Sequence, residues 1–254
     1  MRLLLLGGTT EATELARRLG TRADIHTTLS LAGRTRHPGQ AAVPTRSGGF
    51  GGVEGLVAHL RSEGIDRVVD ATHPFAAQMS ANAAHACRAA GVPLARLSRA
   101  PWQPGPGDRW IHVADPDAAA RAVADLGPRI FLSVGGRSLG PFASVPGKHW
   151  LVRSIDPPEP EPGFSDWTLV RARGPFRFED ELELLRTHRI DALVTKNSGG
   201  DATRAKLDAA RALARPVVII DRPELPPVDA VFHDPADVLA WLDRAPTAHH
   251  SSAG

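Results

Sequence analysis

The chain has 254 residues, with Lys+Arg 30 against Asp+Glu 28, a formal net charge of +2, 42% hydrophobic and 23% charged residues. That length and balance suit one large α/β domain or two small ones and exclude a disordered chain, while the near-neutral total argues against a nucleic-acid binder. No apolar run approaches the ~20 residues that span a bilayer, and the first, Leu3–Leu6, gives way at once to glycines, where a signal peptide would stay apolar, so a cytoplasmic protein is expected.

Arg2–Leu6 reads as a short buried strand running into Gly7-Gly8-Thr9-Thr10, and Ala12, Leu15, Ala16 and Leu19 then line one helix face. Asp24–Ser30 is a second strand, Val53, Leu56, Val57 and Leu60 repeat the helical spacing, and Arg67–Ala71 is a third strand. Met79, Ala83, Ala86, Cys87 and Ala90 line the next helix, and Pro93–Leu97 closes this half. The Pro- and Gly-rich stretch 101–109 reads as a linker. Beyond it the alternation resumes: helix Ala118–Leu126, strand Ile130–Val134 into Gly135-Gly136, strand Trp150–Ile155, a proline-rich loop from Pro157, and a helix carrying Phe178, Leu182 and Leu185. Strand Ile190–Thr195, loop Lys196–Gly200, helix Ala202–Leu213, strand Pro216–Ile220 and a helix beginning at Val238 complete it. Alternating strands and helices predict mainly parallel sheets in an α/β fold, as two Rossmann-like halves, 1–100 and 111–245.

The turn Gly7-Gly8-Thr9-Thr10-Glu11-Ala12 stands where a dinucleotide site needs glycine, so that the backbone can approach a pyrophosphate at a helix N-terminus. Its spacing meets the glycine fingerprint only in part, and a tight β–α turn demands glycine with or without a ligand. The second strand ends in Ser30-Leu31-Ala32-Gly33-Arg34-Thr35, with no acid for a ribose hydroxyl but an arginine for a 2′-phosphate, which favours NADP over NAD. Arg46-Ser47-Gly48-Gly49-Phe50-Gly51-Gly52 is a second glycine loop, either a close approach to a ligand or a flexible connection.

Asp70-Ala71-Thr72-His73-Pro74 falls at the carboxyl end of a central strand, the edge along which open α/β sheets bind ligands. His73 could donate a proton there with Asp70 to orient it; a satisfied structural histidine is the competing reading. Thr195-Lys196-Asn197-Ser198-Gly199-Gly200 repeats the strand–glycine context and carries one of only three lysines, against 27 arginines. A lysine beside a helix start makes an anion site. No histidine or cysteine spacing supports a metal, and the one cysteine, Cys87, excludes an internal disulfide.

Taken together, Leu6–Ala12, Gly48–Gly52, Asp70–Ala76 and Thr195–Gly200, with Gly174-Pro175-Phe176 and Pro216-Val217-Val218 in order between and after them, resemble the precorrin-6A reductase family of cobalamin biosynthesis, including its cobalt-precorrin counterpart. The resemblance spans roughly Arg2 to Leu242. It implies two Rossmann-like domains with an interdomain cleft and NADPH-dependent reduction of a double bond of the precorrin-6A macrocycle to precorrin-6B; a monomer is expected. Gly7, Gly8, Thr9, Thr10, Glu11, Ser30, Gly33, Arg34, Gly49 and Thr72 are then expected to hold NADPH. His73 is the candidate proton donor, and Lys196, Asn197, Ser198, Gly199, Gly200 and Arg96 are expected to meet the tetrapyrrole, helped by helix starts after Gly136 and Gly200. The alternatives are the cobalt-precorrin-6A reductase of the anaerobic pathway, a non-catalytic NADP-binding redox sensor, and a phosphate-ester enzyme using the same glycine loops.

Overall fold

The computed structural model describes residues 1–32, 41–159 and 162–244. In chain order the elements are β1 (Arg2–Leu6), α1 (Thr10–Leu19), β2 (His26–Leu31), β3 (Thr45–Ser47), α2 (Gly52–Ser62), β4 (Arg67–Asp70), α3 (Ala77–Ala90) and β5 (Leu94–Leu97). They continue as β6 (Trp110–Val113), α4 (Pro116–Ala122), β7 (Arg129–Ser133), two 3₁₀ turns (Gly136–Ser138 and Gly140–Ser144), β8 (His149–Ser154), β9 (Trp167–Arg171) and α5 (Phe178–Thr187). β10 (Ala192–Lys196), α6 (Ala205–Ala212), β11 (Val217–Ile220), β12 (Ala230–Phe232) and α7 (Pro235–Leu242) complete the chain. Among the described residues, no helix is long and apolar enough to cross a membrane.

The strands form two six-stranded sheets, β12-β5-β4-β1-β2-β3 and β6-β11-β10-β7-β8-β9, in which every pairing is parallel. Each follows the doubly wound order, strands running outward from one central strand and then from its other side. The four leucines of β1 are fully buried, as a central parallel strand covered on both faces requires. Their alternation divides them. Leu3 and Leu5 join Leu15 and Leu19 of α1 with Val238 and Leu242 of α7, whereas Leu4 and Leu6 join Leu56 and Leu60 of α2 with Ala83 and Cys87 of α3. Each such leucine contributes about 1.5–3 kcal/mol of burial. In the second sheet, Phe131, Leu151, Leu193 and Ile219 pack under Leu185 of α5 and Leu207 of α6.

The chain divides into two compact units, Met1–Arg99 with Glu224–Gly254, and Ala100–Pro223. This corrects the expected second domain of 111–245. β12 pairs with β5 (Ala230 opposite Ala95) and α7 packs on α1, so the end of the chain completes the first unit. The expected linker 101–109 belongs to the second unit and buries Trp102 to 4% exposure. The helix expected to begin at Val238 begins earlier, at Pro235: Asp234 caps it through Ala236 N–H and Pro235 opens it, a common start because proline has no N–H to lose. Asp115 and Pro116 start α4 in the same way.

Candidate functional site

In the first unit the strand order reverses across β1 and β4, which sets the turn after β1 beside the turn after β4, where ligands of such sheets sit. Gly7 N–H donates to Ser30 O at 2.9 Å, and a Cβ on Gly7 would lie 2.5 Å from Leu29 Cδ1. A side chain here would have to push the Leu29 methyl aside. Gly8 has φ 123° and only open space where a side chain would go, so here the backbone itself is accessible. Thr9 is the N-cap of α1: its Oγ1 accepts from Ala12 N–H at 3.1 Å and donates to Ala71 O at 2.9 Å. One hydroxyl thus fixes the helix start and ties the two turns together. Thr10 and Glu11 form the first helical turn, whose remaining N–H groups suit an anion. Glu11 is paired with Arg99 at 3.3 Å, which offsets a negative charge at that spot.

Ser30, near the end of β2, is buried and accepts from Arg46 Nη1 at 2.8 Å. The same guanidinium donates to Gly48 O (3.2 Å) and Gly49 O (3.1 Å) and stacks 3.9 Å over Phe50. Gly48, Gly51 and Gly52 all have positive φ, so three of the loop glycines serve its backbone path; Gly49 is exposed beside open space. His59, 5.0 Å from Phe50, is held below the usual histidine range by burial and then by the Arg46 charge. Gly33 and Arg34 lie outside the described residues.

Asp70, at the end of β4 and 2% exposed, accepts on Oδ1 from Thr72 N–H (3.1 Å) and Thr72 Oγ1 (2.7 Å). It therefore orients Thr72. His73 accepts from Phe75 N–H on Nδ1 at 3.2 Å, which assigns the proton of the neutral ring to Nε2. Arg96, expected at the substrate, lies 3.6 Å from Asp70 Oδ2 through Nε and donates to Pro226 O at 3.1 Å. Its guanidinium supports the strand ends.

The second unit reverses across β7 and β10. Lys196, the last residue of β10, bridges that point by donating to Ser138 Oγ at 2.8 Å. The helix starts expected after Gly136 and Gly200 are absent: Gly136 opens a 3₁₀ turn, and α6 begins only at Ala205. Asn197 is buried and spent on a backbone, its Oδ1 accepting from Trp102 N–H (2.8 Å) and its Nδ2 donating to Trp102 O (3.2 Å). Arg222 donates to Asn197 O and Ser198 O, and Trp102 Nε1 donates to Gly200 O at 2.8 Å. A Cβ on Gly199 would lie 2.1 Å from Ala100 O, at φ 70°. Of the expected substrate residues here, Lys196 has the cation, and its neighbours hold the loop that presents it. Ser138, Trp102 and Arg222 were not singled out as site residues in the sequence, and Arg46 was read only as the first residue of a glycine loop; Ser138, just after Gly135-Gly136, and Arg46 carried a signal that could have found them. Among the described residues, no group of three or more His, Cys, Asp or Glu is placed to hold a metal.

A glycine turn with an exposed backbone and a capped helix start could take a phosphate-bearing dinucleotide in the first unit. Two doubly wound parallel sheets place the protein in the Rossmann-like α/β class. Within that class the chain belongs to the family of precorrin-6x reductase CbiJ/CobK, whose model matches residues 2–243. It is 49% identical over 242 residues to the precorrin-6A reductase of Rhodococcus erythropolis, covering 95% of this chain and 97% of the relative. A solved structure of CobK precorrin-6A reductase matches with a TM-score of 0.89 and 48% identity, covering 95% of this chain and 96% of that one. The cobalt-precorrin-6A reductase of Salmonella typhimurium is 28% identical, over 87% of each chain.

Proposed function

We propose that the protein catalyses the NADPH-dependent reduction of a macrocycle double bond of precorrin-6A, giving precorrin-6B, in cobalamin biosynthesis. Membership of the reductase family along residues 2–243 carries the reading, and the capped glycine turn of the first unit supports it. NADPH, when bound, supplies the hydride. The chain's own task is mainly positioning, because donor and acceptor carbons must approach to about 3–3.5 Å. Gly7, Gly8, Thr9 and Thr10 would take the pyrophosphate on backbone N–H groups, with Glu11 held aside by Arg99. Thr72, its hydroxyl oriented by Asp70, would border the nicotinamide. His73 holds a proton on Nε2 that the reduced carbon skeleton needs. Lys196 would meet carboxylates of the tetrapyrrole as a point charge.

The greater identity to the precorrin-6A reductase of Rhodococcus erythropolis than to the cobalt-precorrin-6A reductase of Salmonella typhimurium, 49% against 28%, favours metal-free precorrin-6A as substrate. Anaerobic incubation of the protein with NADPH and either metal-free or cobalt-loaded precorrin-6A tests both points. Nicotinamide absorbance is expected to fall with the metal-free substrate. Turnover only with the cobalt form would reassign the substrate, and cofactor binding without turnover of either would point to a sensor.

A further inference from the structure

The register of the first sheet sets Arg46 on β3 opposite Ser30 on β2. Ser30 also accepts Gly7 N–H through its carbonyl, so this pair borders the glycine turn. In a doubly wound sheet the adenosine ribose is read at this strand end, by a carboxylate for a 2′-hydroxyl or by a cation for a 2′-phosphate. The residues there are Ser30-Leu31-Ala32 and Thr45-Arg46-Ser47, and none is acidic.

Arg46 is built in as a fixed cation. Phe50 supports its plane at 3.9 Å, and three N–H groups go to Ser30 Oγ, Gly48 O and Gly49 O. A guanidinium has five N–H groups; among the described residues, Nε–H and the second Nη2–H have no acceptor. Among the described residues, side chains at Gly48 and Gly49 would meet nothing within 4 Å, which leaves the loop that Arg46 holds open on that side. The sequence pointed to Arg34 for this task because it follows β2 directly, whereas Arg46 reaches the same strand end only through the pairing of β3 with β2.

We propose that Arg46 is the residue that reads the 2′-phosphate of NADPH, with its plane held on Phe50 and its remaining N–H groups bonding the phosphate oxygens. This rests on the NADPH reading above. An arginine fixed in this way discriminates by charge and by its planar fork, at little cost in side-chain entropy on binding.

Calorimetric titration of the full chain with NADP⁺ and with NAD⁺ separates this role from a structural one. Arg46→Gln keeps an amide that can reach the glycine carbonyls but removes the charge. It is expected to weaken NADP⁺ about 10- to 100-fold, the range of a lost charge-assisted bond, and to leave NAD⁺ within about threefold. Arg46→Lys, which keeps the charge without the fork, is expected to lose less NADP⁺ affinity than Arg46→Gln. Equal weakening of both nucleotides, or an unchanged NADP⁺ to NAD⁺ ratio, would overturn the proposal, since a residue that merely holds the loop treats both alike. Should Arg46→Gln not fold, the Arg46→Lys ratio decides, an unchanged preference counting against the fork. A wild-type chain that binds neither nucleotide would overturn the NADPH reading itself, whereas a preference that survives Arg46→Gln overturns only the role of Arg46.

Discussion

His73 stands half-buried beyond the end of β4, its Nδ1 occupied by Phe75 N–H at 3.2 Å. The local backbone thereby sets the tautomer, and the proton of the neutral ring is the one on Nε2. If that proton completes the reduction, His73→Ala lowers kcat by about 10²–10⁴, the usual contribution of a general acid, and leaves NADPH affinity unchanged. Stopped-flow or steady-state turnover checks this; a loss below about threefold assigns the proton to water. Cys87, by contrast, takes no part. It is 2% exposed and burial pushes its thiol up to about 12, which keeps it uncharged at neutral pH. Neither state is visible in the composition, since both depend on what the fold packs around the ring and the thiol.

The turn between β1 and α1 joins a helix start to a neighbouring strand end. Thr9 caps α1 and reaches Ala71 O across the strand reversal. Thr9→Val is expected to cost about 1–2 kcal/mol of stability, the usual penalty for a lost cap, and to weaken NADPH by loosening both turns. Thr9→Ser keeps the hydroxyl and is expected to restore both, as thermal melts and nucleotide titrations would show. The inner strands and most helices were legible as local patterns: Leu3–Leu6 as a buried run, and Leu15 and Leu19 as a helix face. β3, β6, β9 and β12 were not, and these are the four edge strands of the two sheets. An edge strand is covered less fully than a central one, so its sequence carries no continuous apolar run, and it forms because a neighbouring strand offers it an edge.

In the whole molecule, the sixth strand of each sheet comes from across the sequence. β6, directly after β5 in the chain, pairs with β11, and β12, directly after β11, pairs with β5. The first unit is therefore incomplete until the last residues are made. Arg67, 4% exposed, donates to Trp241 O and Arg244 O, and Val238 is fully buried. A chain ending at Pro223 loses β12, α7 and both acceptors, leaving a buried charge unpaired. It is expected to lose NADPH binding and the cooperative melt of the first unit, as calorimetry and circular dichroism would record; retained binding would show that the first five strands suffice. The sequence by itself determined the α/β alternation, the two glycine turns and the family, because these reside in neighbouring residues and short spacings. Only the tertiary structure decided that residues from Glu224 on complete the first unit, that Asn197 is spent on Trp102, and that Arg46 lies beside Ser30. Those are pairings between segments far apart in the chain, and local periodicity carries no information about which distant partner a strand edge or a buried amide will find.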